Sequence, residues 1–142
     1  MKTNTKPKFW RMTSPFAAIV LATTAFAAPE LPGRDQEDGA VQVAKAWFTS
    51  LMHGDTEVST TLSSVPFTLD RKHEIASLEE LRKVYKGVVE SKGKRDPKII
   101  SAKVESSTPE KITVSIKIEK DDEVITVFIK PGDALHVIGF AD

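Results

Sequence analysis

A regular alternation of apolar and polar residues late in the chain most constrains its fold. Residues 112–119 read Ile-Thr-Val-Ser-Ile-Lys-Ile-Glu, so every second side chain is aliphatic. This period-two pattern is typical of a strand with one buried and one solvated face. Because a sheet that buries only one face needs a covering layer, the upstream sequence must supply apolar helices.

Four strands in succession are predicted around this pattern, forming an antiparallel meander over 98–106, 111–120, 123–130 and 134–140. A two-residue turn at Asp121-Asp122 would place Ile118 opposite Ile125, and the large aliphatics would then share one face. The turn near 107–109 must hold an odd number of residues if Ile100 is to join that face. We predict three.

Two amphipathic helices are predicted to cover the sheet. The first spans 38–53 with Asp38 as its N-cap, and Gly54 follows as a left-handed residue. Its apolar residues recur at spacings of three and four: Ala40, Val41, Ala44, Trp47, Phe48, Leu51 and Met52. The second begins at a capping box, Ser77-Leu78-Glu79-Glu80, and runs to residue 91.

The segment between the helices is predicted to form a polar loop and a small hairpin. Residues 55–64 are rich in Thr and Ser and have room for one helical turn. Short strands follow over 65–69 and 73–75. Pro66 indicates an edge strand or the start of a strand, since proline lacks a ladder donor. The predicted fold class is therefore α+β, with two helices on one face of a curved antiparallel sheet.

Residues 1–27 have the pattern of a secretory signal peptide. A basic leader precedes an apolar run over 15–27, and Ala25-Phe26-Ala27 fits a small-x-small cleavage site. The run is shorter than the ~20 residues that span a bilayer, although an uncleaved anchor is the alternative. We expect export to the periplasm or the exterior, a flexible tether over 28–37, a single domain over 38–142, and no stable membrane insertion after cleavage.

Charge and composition exclude several classes of function. The chain has 20 basic and 20 acidic residues, and loss of the four basic leader residues leaves 16 against 20, a net charge of −4. A nucleic-acid partner is not expected for such a domain. Cysteine is absent, the three histidines are scattered, and there is no Gly-rich phosphate loop or Gly-x-Ser-x-Gly motif. No metal and no cofactor are predicted.

The order of elements and three loose signatures carry a resemblance to a known family. The signatures are Ala44-x-x-Trp47-Phe48-x-x-Leu51 before Gly54-Asp55, the stretch 67–81, and Leu135-His136-Val137-Ile138-Gly139-Phe140. Across nearly all of 38–142 the chain resembles the nuclear transport factor 2-like superfamily, a cystatin-like α+β cone in which a curved sheet wraps a long helix. The resemblance implies either a cavity enzyme or a non-catalytic binding or accessory module.

Enzymes of that superfamily place an ionisable pair, usually Asp with Tyr or His, on cavity-facing positions. The resemblance therefore implies three catalytic candidates here: Asp70, Tyr85 and His136. A two-residue turn at Pro131-Gly132 would direct His136 to the buried face. A loop longer by one residue would direct it outward and bury Leu135 and Val137, which we predict because it buries two aliphatic side chains.

Aromatic residues are the candidates for ligand binding, because small-molecule sites are mostly apolar. They are Trp47, Phe48, Phe67, Tyr85 and Phe128. The alternative is that these side chains only fill the space between the helices and the sheet. Tyr85 would in either case need a hydrogen-bond partner for its hydroxyl if buried.

The leading functional hypothesis is an exported, non-catalytic domain that binds a small apolar ligand or an envelope protein. An isomerase- or dehydratase-type cavity enzyme, acting by proton transfer, is the alternative. The predicted inward face of the meander has no ionisable side chain, whereas an enzyme needs one facing its pocket. Homodimerisation through the outer face of the sheet is a third possibility.

Overall fold

The computed structural model describes residues 31–119 and 124–142. The predicted signal peptide, the first three tether residues and the predicted turn at 121–122 lie outside the described residues.

The described chain has the predicted α+β class, with helices packed against a six-stranded, curved, unclosed sheet. The helices are α1 (Arg34–Met52), α2 (Thr56–Thr61) and α3 (Leu78–Lys92). The strands are β1 (Ser63–Leu69), β2 (His73–Ile75), β3 (Ile99–Ser107), β4 (Ile112–Ile118), β5 (Val124–Lys130) and β6 (His136–Ala141).

The sheet has the order β2-β1-β6-β5-β4-β3 and is mixed rather than wholly antiparallel. The meander β3 to β6 and the hairpin β1–β2 are antiparallel, as predicted. However, β1 joins the hairpin to the meander by pairing in parallel with β6. Sequence periodicity does not indicate this long-range pairing, because it constrains the face of a strand and not its neighbour.

Helix α1 begins four residues before the predicted start. Gly33 is its N-cap and no side chain caps it, so Asp38 lies inside the helix. The Gln36 amide group binds the loop before β6, donating to the Gly132 carbonyl (3.1 Å) and accepting from the Gly132 N–H (2.9 Å). Residues 34–37 therefore belong to the helix and not to a flexible tether. The C-terminal prediction holds, since Gly54 has φ 85° directly after the helix.

The other two helices are capped by side chains. The Asp55 carboxylate accepts from the Val58 N–H at the start of α2, where a single turn in a loop was predicted. The Ser77 hydroxyl accepts from the Glu80 N–H at the start of α3, as the capping box predicts. In the described chain the reciprocal bond from the Glu80 side chain is not formed. Gly93, with φ 79°, follows the last turn of α3.

The register of the meander differs from the prediction, although the buried face is the one expected. Ile116, rather than Ile118, lies opposite Ile125. The predicted pairing was wrong by two residues. Because side chains alternate with period two, a shift of two leaves the same residues inside.

The first turn of the meander and strand β3 also differ from the prediction, because β3 contains two bulges. Four residues, not three, separate the paired Ser107 and Ile112, and an irregularity between Val104 and Ser106 restores the face of the strand. A second irregularity near Ile99 turns Ile100 outward, where it is 57% exposed. Ile100 was therefore wrongly assigned to the core.

Pro66 lies in an internal strand, not at an edge. Strand β1 pairs with β2 only over 67–69, and its pairing with β6 is interrupted between Ser63 and Thr68. Pro66 falls in this interruption, so its missing N–H removes no ladder hydrogen bond.

Candidate functional site

A cavity of about 240 Å³ opens between the C-terminal half of α1, helix α3 and one end of the sheet. We call it the mouth cavity. Its apolar walls come from both helices and from the ends of β1, β5 and β6: Trp47, Phe48, Leu51, Met52, Leu69, Val84, Val88, Ile125 and Phe140. The four residues from α1 are at most 4% exposed and form a buried, apolar floor.

Four exposed charged residues complete the lining of the mouth cavity: Asp70, Lys92, Arg95 and Asp142. They carry two charges of each sign, so the entrance has no dominant electrostatic preference. An apolar floor with charged groups at its solvent side suits a ligand with an apolar body and a polar end.

A chain of buried hydrogen bonds lies behind the cavity floor. The Trp47 indole N–H donates to the Tyr85 hydroxyl oxygen (3.0 Å). The Tyr85 hydroxyl lies 2.7 Å from the Ser63 hydroxyl, which itself donates to the Ser59 carbonyl (2.7 Å). Since the single Ser63 proton is used in that bond, the Tyr85 O–H donates to Ser63. The network therefore has a fixed direction, and it links α1, α2, β1 and α3.

Burial raises the pKa of Tyr85 from 10.0 to about 12, against the smaller effect of its hydrogen bonds to Ser63 and Trp47, which lower it. Its phenol is fully buried, and both the donor and an acceptor position of the hydroxyl are occupied. This environment holds Tyr85 neutral and suits a structural role better than proton transfer to a ligand.

The five aromatic candidates divide among three environments. Trp47 and Phe48 line the mouth cavity. Phe67 and Tyr85 are fully buried behind it and contact each other edge to face, with ring centroids 5.9 Å apart. Phe128 lies on the opposite face of the sheet and does not join the core cluster, because the register places it opposite Thr113 in an outward-facing row.

The three catalytic candidates are not brought together. Asp70 reaches the mouth cavity, and Tyr85 is sequestered in the core. His136 pairs with the exposed Lys130, while Val137 beside it is fully buried and Leu135 packs against the core. The outward orientation predicted for His136 is therefore confirmed, although the loop has five residues, 131–135, rather than the predicted three.

Phe140 is the main lining residue that the sequence did not indicate. Strict alternation from the buried Val137 would direct Phe140 outward. A bulge opposite Phe128 and Ile129 adds one residue to β6, so the side chains after it point to the opposite face from the one that strict alternation predicts. Phe140 therefore packs on Trp47, with centroids 5.2 Å apart, and on Phe67, at 6.0 Å. Leu51, Met52, Val84 and Val88 could have been found, since they lie on the apolar faces predicted for the two helices.

Within residues 31–119 and 124–142, no three His, Asp or Glu side chains are grouped so as to hold a metal ion. Among the helices of this same part of the chain, none is long and apolar enough to span a membrane.

Comparisons with known proteins leave the family of this chain open. No family model matches the sequence, and no curated protein matches it significantly. A solved structure from Kribbella flavida DSM 17836, described as "Crystal structure of known function protein", is similar with a TM-score of 0.45 and 8% identity. The alignment covers 71% of this chain and 82% of that one. A similarity at this level carries no inference about function.

Proposed function

We propose that this chain is an exported, non-catalytic domain of the nuclear transport factor 2-like type that binds a small, largely apolar ligand in the mouth cavity. The observation that carries the proposal is the cavity itself, which has a buried apolar floor and charged groups only at its solvent side. The basic leader and the apolar run of residues 1–27 support export.

The size of the mouth cavity favours a small ligand over a partner protein. Its volume of about 240 Å³ lies just below the roughly 300–1,000 Å³ of common ligand pockets. A protein partner would instead bury a surface of roughly 800 Å² on each side. We infer a ligand with a short alkyl or aromatic body and a single polar head that stays near the charged entrance.

The proton-transfer enzyme receives less support. Among the three candidates only Asp70 lines the cavity, whereas Tyr85 is held neutral in a complete hydrogen-bond network and His136 lies beside Lys130. The general acid–base pair that the resemblance implies is therefore not assembled around the mouth cavity.

Trp47 fluorescence in the full chain tests ligand binding directly. The sequence has two tryptophans, Trp10 and Trp47, so the Trp10→Phe variant leaves only the one in the cavity floor. We expect octanoate and octylamine to change its emission saturably, and acetate to leave it unchanged. For ligands of this size, the free energy per atom predicts dissociation constants from about micromolar to millimolar.

Filling the cavity distinguishes specific binding from adsorption. Val88 lines the mouth cavity, and Val88→Phe places a ring in it. We expect this variant to bind both octyl compounds at least about tenfold more weakly. The matched control is Val58→Phe, at a valine of α2 that is 42% exposed and outside the cavity. Equal binding by Val88→Phe and the parent chain would contradict the proposal.

A further inference from the structure

Two cations cover one aromatic ring on the outer face of the sheet, opposite the mouth cavity. Lys111 Nζ lies 4.7 Å from the centroid of the Phe128 ring, and Arg71 Cζ lies 5.4 Å from it. Together with the neighbouring strands they leave the ring only 7% exposed. Both positive charges are thus held within 5.4 Å of one point.

Neither cation is neutralised by a carboxylate in the described part of the chain. The ion pairs found there join His53 to Asp96, Arg82 to Glu57, and Lys103 to Glu105. The quadrupole of the ring compensates a charge only in part, by roughly 0.5–1 kcal/mol at an exposed site. An anion between the two groups would relieve their mutual repulsion and form charge-assisted hydrogen bonds with both.

The hairpin turn between β1 and β2 positions Arg71 beside Phe128. Asp70 and Arg71 have φ of 51° and 63°, the left-handed region that non-glycine residues rarely adopt. The turn is fixed by a bond from the Lys72 N–H to the Leu69 carbonyl and by one from the Asp70 N–H to the Phe140 carbonyl, both 2.9 Å. Positive φ at both central residues is typical of the tight turns that close β-hairpins, so the turn fixes the position of the Arg71 backbone.

A concave space of about 290 Å³ adjoins the two cations. It is lined by Thr68, Arg71, Lys111, Phe128 and Ile138, which we call the outer-face site. The Thr68 hydroxyl makes no hydrogen bond to other described residues and is free to donate to a ligand. The site thus combines two cations, a hydroxyl donor and two apolar side chains, with no acidic group in its lining.

From this arrangement we propose that the outer-face site binds the dianionic group of a phosphate monoester. Arg71 and Lys111 would contact the phosphoryl oxygens, Thr68 would donate a hydrogen bond, and Ile138 with the ring edge of Phe128 would contact the ester substituent. Two cations match a charge of minus two, and guanidinium and ammonium groups both bind phosphoryl oxygens well. The site is on the other face of the sheet from the mouth cavity and is independent of it.

The test is an NMR titration of the full chain with phenyl phosphate at constant ionic strength and mildly alkaline pH. We expect amide shifts at Thr68, Phe128 and Gly139. Phenyl sulfate has a similar shape but one negative charge fewer, so it should bind about tenfold more weakly, as expected for the loss of a charge-assisted interaction. Absence of shifts on the outer face, or equal affinity for the sulfate, would overturn the proposal.

Variants separate the site from general surface charge. Arg71→Gln and Lys111→Gln should each weaken phenyl phosphate binding about tenfold. Lys117→Gln is the matched control, since Lys117 is an exposed lysine of β4 outside the site, and it should change affinity less than about twofold. Arg71→Gly removes the cation but tolerates positive φ, so it should fold at least as stably and still bind weakly. A loss of affinity in Lys117→Gln equal to that in Lys111→Gln would overturn the proposal.

Discussion

Removing the Tyr85 hydroxyl should destabilise the fold more than its single oxygen atom suggests. In Tyr85→Phe the Trp47 N–H loses its partner, and Trp47 is only 1% exposed, so water cannot replace it. An unpaired buried donor costs about 1–3 kcal/mol, and the lost bond to Ser63 adds about 1 kcal/mol. We expect the free energy of unfolding to fall by about 2–4 kcal/mol.

The same network predicts how a second substitution combines with the first. Ser63→Ala leaves the Tyr85 O–H unpaired in the core, at a cost of about 1–3 kcal/mol. In the double variant that O–H is absent, so the two effects should not add. We expect the double variant to be more stable than the sum of the singles predicts, by about 1 kcal/mol.

Urea unfolding of the full chain, followed by circular dichroism, measures these differences. Ser64→Ala serves as control because the neighbouring Ser64 hydroxyl has no hydrogen-bond partner among the described residues, and it should stay within about 0.5 kcal/mol of the parent. A Tyr85→Phe variant that loses less than about 0.5 kcal/mol, or a strictly additive double variant, would refute the reasoning.

Three further predictions concern the fold. Tyr85 is the only tyrosine, so its phenolate absorption should rise at about pH 12 in the folded chain and near 10 in urea. Because the pKa of Tyr85 is higher in the folded chain than in the unfolded chain, its contribution to stability is complete below pH 10 and falls as the pH rises from about 10 to about 12. Over this range the parent chain should lose stability relative to Tyr85→Phe by about 1.4 kcal/mol per pH unit. Gly139→Ala should destabilise the fold by about 1–3 kcal/mol, since a Cβ there would lie 2.7 Å from the Thr68 carbonyl oxygen. Gly87→Ala, in open space on α3, should instead stabilise the fold by about 0.5–1 kcal/mol. Thermal unfolding of the two variants measures both effects. Ser77→Ala should cost about 1 kcal/mol in the same assay because it removes the cap of α3; an unchanged midpoint would contradict this.

The sequence predicts the faces of the elements better than their alignment. Alternation placed Val114 and Ile116 inside correctly, and the helical spacing did so for Ala44 and Trp47. Face depends on local periodicity, which the chain displays directly. Register, in contrast, depends on loops and bulges, and a shift of two residues between β4 and β5 leaves the hydrophobic pattern satisfied.

Bulges explain why the candidate site could be predicted only in part. The irregularity in β6 brings Phe140 into the mouth cavity, and the irregularities in β3 expose Ile100. In β6 the glycine beside the inserted position, Gly139, is a sequence sign of the bulge, since an internal strand glycine often marks one. In β3 no glycine or proline marks the inserted positions. Phe128 shows a different limit of sequence-based prediction. In the sequence, an aromatic residue on the outer face of the sheet looks the same as one in the core, and only the structure shows that Arg71 and Lys111 cover this ring.

The measurement that tests the central claim most directly is the position of a bound alkyl chain. We would record intermolecular nuclear Overhauser effects between octanoate or octylamine and the isotopically labelled full chain. Binding in the mouth cavity predicts contacts from the alkyl protons to Leu51, Val88 and Phe140. Contacts confined to the outer face around Ile138, or none at saturating ligand, would contradict the proposed function.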